Sequence, residues 1–465
     1  NQIIDFGIVE ETKNQLKFTD VNIKPNLEGL GVTSFDDKAK ILKSGYTEAM
    51  KYLEILDKLP KKNFDNLRMP VNPIFSNIYK IDDIEVENNK IYDKDYIIGK
   101  MTLKLPSSQT YGSINKMIDK LYATNNYKII NYEIIQKDNK NVLKLFVTED
   151  NNRLFLKFGL HYDDIFKSGL LANITVKRLL FKNSSISIDG VFGDKSRYYV
   201  NYFIDNGYIP GIGLNASGMS FDLKSQDKLA YETWNWYRTE LFIQSTWKNK
   251  FAIGGGISYD VFNGKNLFTG DTRKADYLNP YAFLKGDTQD SKSFPKKGYY
   301  TYIEAKSYDF IESGTKEKSF QIKADIRGNF PITKFLTYRL RTFYGISFNA
   351  VDDFYQYHLG GIFEQNLVNF VRFNGYEFGE ASNNNVFTVG NDFQFNFMKN
   401  YYVTASLSVG NLFDNFNDAN FIKINYSSFG ITAGYDSPFG QIKINYSNAF
   451  KDKPGIIAVV LGHWF

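Results

Sequence analysis

The C-terminal two thirds of the chain, residues 151–465, show the period-two alternation of β-strands and no convincing amphipathic helix. The first such segment places an apolar side chain at every second position, namely Leu154, Leu156, Phe158, Leu160 and Tyr162. No run of about 18 apolar residues occurs, which excludes transmembrane helices. The pattern leaves two classes, a soluble β-protein and a transmembrane β-barrel, because alternating barrel strands never form a long apolar run.

The connections between the strands favour the barrel. Turns after even-numbered strand candidates are short, as at 182–183, 294–298 and 398–400, whereas loops after odd-numbered ones are longer, as at 222–236 and 350–385. Short turns at one rim and long loops at the other are typical of outer-membrane barrels. Sixteen strands with their connections need about 320 residues at roughly 20 each, close to the length of this segment. The predicted strands begin near Arg153, Gly169, Ser184, Arg197, Gly211, Tyr237, Phe251, Ala275, Gly298, Phe320, Phe335, Val386, Tyr401, Phe429, Gln441 and Ile456.

The sequence therefore predicts a mainly β fold, with a sixteen-stranded antiparallel transmembrane barrel over residues 150–465. Such a sheet must close on itself, because hydrocarbon offers unpaired backbone groups no partners. The chain also holds 41 Phe, 33 Tyr and 4 Trp, and Tyr and Trp accumulate at bilayer interfaces. We expect interfacial positions for the aromatic residues near strand ends, which are Trp234, Trp236, Tyr237, Trp247, Tyr299, Tyr300, Tyr401 and Tyr402.

The composition excludes several kinds of site. The chain has no Cys, so disulfides, zinc-thiolate sites and cysteine nucleophiles are excluded. Its net charge of +5 comes from a mixture of signs, which argues against a nucleic-acid partner. The histidines His161, His358 and His463 lie far apart in the sequence. Neither a metal site nor a Ser-His-Asp triad is predicted, and no cofactor is expected.

Residues 78–149 combine both periodicities, in the order strand, helix, helix, strand, strand. The predicted elements are a strand at 78–86, helices around 93–98 and from Ser113 onward, and a hairpin of 127–136 and 142–148. This order and length resemble a POTRA domain, the periplasmic module of outer-membrane transport barrels. A generic α+β domain is the alternative.

Residues 1–60 contain one strong helix candidate, whose apolar residues recur at helical spacing between Ala39 and about Leu56. A piece this short buries too little apolar area to fold alone, so we expect it to be the end of a larger domain. Over residues 18–56 it resembles the last strand and helix of bacterial patatin-like phospholipases. The matching residues are Ile23-Lys-Pro25, Gly29, Ser34-Phe35-Asp36 and the helix Ile41–Ala49 with Gly45-Tyr46. Residues 61–77 are predicted to be a linker.

No catalytic residue is predicted in this chain. Patatin-like enzymes use a Ser in a GxSxG elbow and an Asp in a DG[GA] turn, and neither motif occurs. The nearest fragments, 254–258 and 345–347, lie in strand-like runs without the geometry of an elbow. The first residue is Asn1 rather than Met, so for an exported protein the chain is expected to be a processed or truncated piece.

The C-terminal strand, Ile456–Phe465, ends the chain on an aromatic residue. It resembles the outer-membrane β-signal that the barrel-assembly machinery recognises, with Leu461, His463 and Phe465 at the matching positions. The preceding segment, 434–446, resembles the tight turn and penultimate strand of one superfamily. Its members are the protein insertases of the outer membrane, the two-partner-secretion transporters and the patatin-type autotransporters.

A motif in the long loop before the twelfth strand carries the same resemblance. Superfamily members fold this loop into the lumen with a [VI]RG[FY] tip, whose Arg contacts the barrel wall. In Val371–Tyr376 the residues Arg372, Gly375 and Tyr376 match, although Phe373 and Asn374 are inserted. The usual acidic wall partner is replaced by Ser408, so Asp392 is the candidate partner of Arg372. A solvated loop arginine is the alternative.

These resemblances identify the chain as the C-terminal part of a patatin-like type V (subclass d) autotransporter. They imply an outer-membrane anchor and translocator for an N-terminal lipase passenger, with the POTRA domain in the periplasm. The implied partners are outer-membrane lipids, the barrel-assembly machinery and the passenger itself, and the barrel is expected to be monomeric. The alternative is a two-partner-secretion or insertase-type transporter of other polypeptides. A passive porin would lack both the POTRA domain and the folded-in loop.

Overall fold

The computed structural model describes residues 16, 19, 21–28, 37–58, 78–206, 209–224, 231–247, 250–308, 318–349, 351–362, 367–415, 424–437, 440–451 and 453–462. The chain divides into two units, Asn1–Ser76 and Asn77–Phe465. Among the described residues, no helix combines the length and the apolar character needed to cross a membrane.

The first unit holds two helices, α1 (Lys38–Met50) and α2 (Leu53–Leu56). The sequence predicts a single helix through this stretch, and the structure interrupts it at residues 51–52. Both helices leave apolar side chains exposed, namely Ile41, Leu42, Tyr46, Met50, Leu53, Ile55 and Leu56. In the described part of this unit, the apolar faces of the two helices therefore remain uncovered.

Residues 79–149 form a small α/β module at the start of the second unit. Its elements are β1 (Tyr79–Ile81), β2 (Asp83–Glu87), α3 (Lys94–Met101), β3 (Ser107–Gln109), α4 (Tyr111–Tyr122), β4 (Tyr127–Lys137) and β5 (Lys140–Glu149). Strand β5 lies between β2, to which it is parallel, and β4, to which it is antiparallel. The sequence predicts these elements with two exceptions: it treats β1 and β2 as one strand, and it does not predict β3. Strands β1 and β3 have three residues each, which is too short to show alternation.

Both helices of the module bury their apolar faces against its sheet. Helix α4 begins with a capping box between Thr110 and Ser113. Its buried stripe is Ile114, Met117, Ile118 and Leu121, which pack with Ile97, Met101, Leu143 and Leu145. The spacing of these positions explains why the sequence predicts this helix correctly.

Sixteen strands between Leu154 and Gly462 form a closed antiparallel barrel, as predicted. In chain order the barrel strands are β6 (Leu154–Asp163), β7 (Lys167–Lys177), β8 (Ser184–Gly193), β9 (Arg197–Ile204), β10 (Gly211–Lys224), β11 (Tyr231–Trp247), β12 (Phe251–Asn266), β13 (Thr272–Asp287), β14 (Gly298–Tyr308), β15 (Ser319–Pro331), β16 (Leu336–Phe348), β20 (Asn385–Met398), β21 (Tyr401–Phe413), β22 (Tyr426–Ser437), β23 (Gly440–Ala449) and β24 (Ile456–Gly462). Three short strands lie outside the barrel, between β16 and β20. They are β17 (Tyr357–Leu359), β18 (Phe370–Val371) and β19 (Ala381–Asn383).

The two faces of the barrel differ in polarity. On β6, Leu154, Leu156, Phe158 and Leu160 all point outward and are 55–73% exposed. Buried polar residues occupy the inward positions of other strands, for example Asn279 and Asp392. An exposed apolar band around a polar interior is the arrangement of a barrel in lipid.

The connections lie at two rims. Lys177, at the end of β7, donates to the Thr124 carbonyl of the α/β module, so β7 and the strands parallel to it end at what we call the module-side rim. The opposite end is the far rim. The connection between β13 and β14 at the module-side rim covers residues 288–297, and the prediction of a short turn at 294–298 is therefore wrong. The long loop predicted at 222–236 is also wrong, because β10 and β11 extend through most of it.

Three of the predicted interfacial aromatic residues lie inside the barrel. Trp234 and Trp236 are 4% exposed and Tyr402 is 6% exposed. They occupy inward positions of β11 and β21. Trp234 packs on Phe354 and Tyr402 on Phe294, both in segments that enter the lumen, whereas Trp236 stacks on Phe262 of the wall. By contrast, Tyr237, Trp247, Tyr299 and Tyr401 are exposed on the outward face.

Candidate functional site

The connection between β16 and β20, residues 349–384, enters the barrel, and we call it the lumenal loop. It contains a short 3-10 turn (Asp353–Tyr355) and a small sheet in the order β18-β17-β19. Nine of its described residues expose 3% or less of their surface, namely Phe354, Tyr355, Tyr357, Leu359, Asn369, Val371, Phe373, Asn374 and Tyr376. A loop extending from the far rim into solvent would expose such residues, so the lumenal loop is part of the packed interior.

The base of the lumenal loop packs on aromatic side chains of the wall. Phe354 stacks on Phe262 of β12 and meets Trp234 of β11 edge-on, with 4.7 Å between ring centroids in both pairs. His358 stacks on Phe370 within the loop and also meets Trp234 edge-on. Burial lowers the pKa of His358, which lies outside the spanning strands, to about 4. A neutral imidazole is therefore part of this aromatic contact.

Asp260 of β12 joins the loop base to several strands of the wall. Its side chain is fully buried, and its carboxylate accepts two hydrogen bonds from Arg238 and one from Lys306 at 3.2 Å. The hydroxyl of Tyr355, in the lumenal loop, donates to the same carboxylate at 2.9 Å and accepts from Asn279. The remaining donors are Trp236, Ser258 and Asn279. We call these residues the Asp260 cluster, in which a buried negative charge is paired and fully hydrogen-bonded.

The two halves of the lumenal wall differ in chemistry. On β14 and β15, Lys323 pairs with Glu304 at 2.9 Å, and Arg327 holds Asp325 through two hydrogen bonds of 2.9 and 2.6 Å. The inward positions of β20–β23 instead carry small, mostly neutral residues, among them Gly390, Ser406, Ser408, Gly410, Ser428, Gly430, Ser447 and Ala449. The base of the loop therefore lies on a charged and aromatic wall, and its tip lies on a wall of small, mostly neutral side chains.

Gly375 attaches the loop tip to strand β23. Its amide donates to the Ser447 hydroxyl at 3.0 Å, and its φ of +75° lies in the left-handed region. A Cβ at this position would lie 2.6 Å from the backbone carbon of Asn448. Glycine is therefore required here by both the conformation and the close approach to the strand.

The two residues inserted into the motif are as deeply buried as the matching ones. The Phe373 ring lies 3.2 Å from where a Cβ would be at Gly410, and the Asn374 amide lies 3.1 Å from that position at Gly430. Missing side chains on β21 and β22 thus create the space that the longer tip fills. The insertion lengthens the tip and leaves it in the lumen.

The structure brings Arg372 near Asp392 and pairs this acid with Arg341. Asp392 is fully buried on β20, and Arg341 of the neighbouring strand β16 donates two hydrogen bonds of 2.8 and 2.9 Å to it. The charges of Arg372 and Arg339 also act on this carboxylate. Arg372 itself is half-buried. The roles of Arg372, Gly375 and Tyr376 as the family motif, and of Asp392 as wall partner, stay predictions.

Replacing Arg341 should cost more stability than replacing Arg372. Arg341→Ala leaves the buried Asp392 without its bidentate partner, which costs about 3–5 kcal/mol for a buried pair. Arg341→Lys should not restore it, because the planar fork is lost. Arg372→Ala leaves the Arg341 pair in place, so we expect a clearly smaller loss. Thermal unfolding in detergent measures both. An equal or larger loss for Arg372→Ala would make Arg372 the principal partner.

A second segment packs inside the barrel at the module-side rim. Residues 288–297, which we call the module-side turn, reach from β13 and β14 to the inner faces of β20–β23. Phe294 is 3% exposed and stacks on Tyr402 of β21 with ring centroids 4.3 Å apart. A Cβ at Gly434 of β22 would lie 2.4 Å from the same ring. The Gln394 side chain donates to the Pro295 carbonyl at 3.1 Å. The turn is thus built into the wall rather than lying over the opening.

The barrel closes between its first and last strands. In the described residues this seam pairs Val460 with Asp163, Leu461 with Tyr162 and Gly462 with His161. Leu461 points outward and is 39% exposed. The other two residues of the predicted β-signal, His463 and Phe465, lie outside the described residues. The described part of the chain contains no group of three or more potential metal ligands.

The sequence patterns predict no role for Asp260, Tyr355 or Phe294. A signal was available for Asp260, because it shares an inward register with Arg238 on the neighbouring strand. No local pattern marks Tyr355 or Phe294, since their partners lie 95 and more than 100 residues away in the chain. The contacts of these two residues appear only once the barrel is closed.

Comparisons with known proteins agree with this architecture. The chain matches the model of the OMP85 superfamily over residues 141–465. Among solved structures, it is similar to BamA from Haemophilus ducreyi lacking POTRA domains 1–3, with 13% identity, a TM-score of 0.60 and coverage of 82% of this chain and 84% of that one. It is also similar to CdiB from Acinetobacter baumannii, with 11% identity, a TM-score of 0.55 and coverage of 99% and 98%. No curated protein matches significantly.

At these sequence identities, the two solved structures show a similarity of fold alone. The family match covers well over half of the chain, including the whole barrel and the lumenal loop. We conclude that the chain belongs to the OMP85 superfamily and is a sixteen-stranded barrel protein of the bacterial outer membrane.

Proposed function

We propose that the chain is the translocator and membrane anchor of a patatin-like autotransporter of type V, subclass d. In this proposal the barrel exports or displays an N-terminal lipase passenger. The α/β module is a POTRA domain in the periplasm, and residues 1–60 are the end of the passenger domain. The barrel-assembly machinery inserts the barrel, which acts as a monomer.

The observation that carries the translocator part is the filled lumen. The lumenal loop and the module-side turn both pack on the inner wall with buried contacts. A passive pore needs an open, water-filled channel. A conduit that must retain small solutes and pass a polypeptide on demand needs segments that close it and can move.

The observation that favours a fused passenger is the uncovered helix pair of the first unit. On α1, Leu42 is 73% exposed and Tyr46 is 68% exposed. Apolar side chains at this density normally face a partner. The remainder of a patatin-like domain is the partner that the resemblance of residues 18–56 suggests.

The element order of the α/β module supports its interpretation as a POTRA domain. Two helices cover one face of a three-stranded sheet, and β5 leads directly into the first barrel strand. The module also contacts the barrel at the module-side rim, where Lys100 pairs with Asp205. The module therefore lies beside the rim at which the module-side turn packs on the inner wall.

The second candidate is a transporter of polypeptides that are not fused to it, as in two-partner secretion or membrane insertion. It would use the same barrel, lumenal loop and module. The fold match to CdiB over nearly the full length of both chains is compatible with it. The two candidates differ in whether the passenger is covalently linked.

Expression of the complete coding region in a bacterium with an outer membrane tests the proposal. We expect lipase activity on intact cells and a passenger that added protease removes from the surface. Deleting residues 78–149 should abolish surface display while leaving the passenger in the cell. A coding region without a patatin-like domain, or secretion only of a separate polypeptide, would favour the second candidate.

Purified residues 1–465 should hydrolyse no lipid ester. The chain lacks a nucleophile elbow, and its nearest Gly-Ser fragments lie within barrel strands β12 and β16. Release of fatty acid from micellar phospholipid, compared with a heat-denatured sample, measures this. Activity that disappears on Ser258→Ala or Ser347→Ala would contradict the expectation.

A further inference from the structure

The turn between β7 and β8, residues 178–183, exposes three consecutive apolar side chains at the module-side rim. Leu179 is 39% exposed, Leu180 is 84% exposed and Phe181 is 54% exposed. Leu180 is therefore among the most exposed large apolar side chains of the described residues. A turn facing water normally carries Gly, Pro, Asn, Asp or Ser instead.

The backbone of this turn holds the apolar side chains in an unusual conformation. Arg178 has a φ of +60° and Leu180 a φ of +71°, a region that bulky L residues rarely adopt. The Ser184 hydroxyl donates to the carbonyls of Leu179 and Phe181, and the Arg178 amide donates to the Ser184 carbonyl. The turn is thus a defined structure that presents Leu180.

The turn bends toward the lipid-facing side of the barrel. The hydroxyl of Tyr202 on β9 donates to the Leu179 carbonyl at 3.0 Å. Tyr202 is in register with Ile186 on β8 and with Leu214 on β10, which is 43% exposed. All three belong to the outward apolar band. The apolar turn is therefore continuous with the surface that meets the acyl chains.

The basic residues that precede the apolar tip point to the α/β module. Lys177 donates to the carbonyls of Thr124 and Asn125 at 2.6 and 2.9 Å, at the end of helix α4. Arg178 donates to the carbonyls of Asp150 and Asn151 at 3.1 and 3.0 Å, between the module and β6. One short segment thus contacts the outward band on one side and the module on the other.

We propose that the β7–β8 turn is a membrane wedge: Leu179, Leu180 and Phe181 insert into the phospholipid interface, and Lys177 and Arg178 hold the α/β module at a fixed position against the bilayer. Apolar side chains flanked by basic ones are the composition of segments that enter the interface of a membrane. This inference goes beyond the proposed function and does not depend on it.

Spin labelling tests the insertion directly, because the chain has no Cys and a single introduced Cys is labelled alone. The label is placed at Leu180→Cys in the full chain, reconstituted into phosphatidylcholine–phosphatidylglycerol vesicles. Ile257→Cys, on the outward face of β12, is the lipid-exposed control, and Asp119→Cys, exposed on α4, is the aqueous control.

We expect the label at Leu180→Cys to be several-fold more accessible to oxygen than to an aqueous nickel chelate, as at Ile257→Cys. Accessibility like that of Asp119→Cys would overturn the insertion. Phe181→Cys provides a second position if Leu180→Cys does not fold.

The link to the module has its own measurement. Replacing Leu179, Leu180 and Phe181 with Ser, while keeping Lys177 and Arg178, should increase the mobility of a label at Asp119→Cys. The matched control replaces two exposed apolar residues of another module-side connection, Ile332→Ser with Phe335→Ser, and should leave that mobility unchanged. Equal mobility in both variants would overturn the anchoring role.

Discussion

Asp260→Ala should destabilise the barrel by about 3–5 kcal/mol, the cost of removing one partner from a buried ion pair. The substitution leaves Arg238 and Lys306 without the carboxylate that both contact. It also removes the acceptor of Tyr355, so the base of the lumenal loop loses its polar attachment to the wall. Thermal and denaturant unfolding in detergent, followed through the heat-modifiable migration of the folded barrel, should show the loss.

Asp276→Ala is the matched control for this measurement. Asp276 lies on the neighbouring strand β13 but is exposed, and Tyr259 donates to it at 3.2 Å. Removing an exposed carboxylate should change the free energy of unfolding by no more than about 0.5 kcal/mol. Similar unfolding curves for the two variants would mean that the Asp260 cluster does not stabilise the barrel.

The barrel could be predicted from the sequence because its signals are local. Alternation needs only neighbouring residues, and the predicted starts at Ser184, Phe251 and Gly298 coincide with the observed ones. The largest error among the strand starts is at β11, which begins at Tyr231 rather than near Tyr237. That strand has 17 residues, more than the 9–11 or so that cross a bilayer, so a prediction based on bilayer thickness shortens it.

The positions of the aromatic residues show where composition misleads. Trp236 and Tyr237 are neighbours near one end of β11, and interfacial enrichment of aromatic residues assigns both to the bilayer surface. Trp236 shares its face with Arg238, whereas Tyr237 shares its face with Leu241, which is 58% exposed. Strand parity therefore distinguishes the two residues, whereas residue type alone does not.

The contacts that fill the lumen could not be predicted from local patterns. Tyr355 reaches Asp260 only after the barrel has brought β12 opposite the lumenal loop. The glycines that receive the loop tip and Phe294 look like ordinary strand residues in the sequence. Gly430 and Gly434 are needed because groups from other segments occupy the space that their side chains would fill.

Phe294→Ala should open the module-side entrance of the lumen. Replacing a buried Phe by Ala costs about 3–5 kcal/mol. Here the substitution destabilises the closed position of the turn relative to an open one. A loss of about 3 kcal/mol shifts a closed–open equilibrium roughly a hundredfold. Gly434→Ala should act in the same direction, because its Cβ would lie 2.4 Å from the Phe294 ring and displace it.

A thiol introduced at Thr404→Cys reports this opening, since Thr404 is 7% exposed and follows Tyr402 as the next inward residue of β21. The rate of labelling by a membrane-impermeant thiol reagent should rise by up to about a hundredfold with Phe294→Ala, in proportion to the open fraction. Lys292→Ala removes an exposed side chain of the same turn and should leave the rate unchanged. Equal labelling rates for Thr404→Cys alone, with Phe294→Ala and with Lys292→Ala would mean that the module-side turn does not close the lumen. The lumenal loop alone would then have to account for its closure.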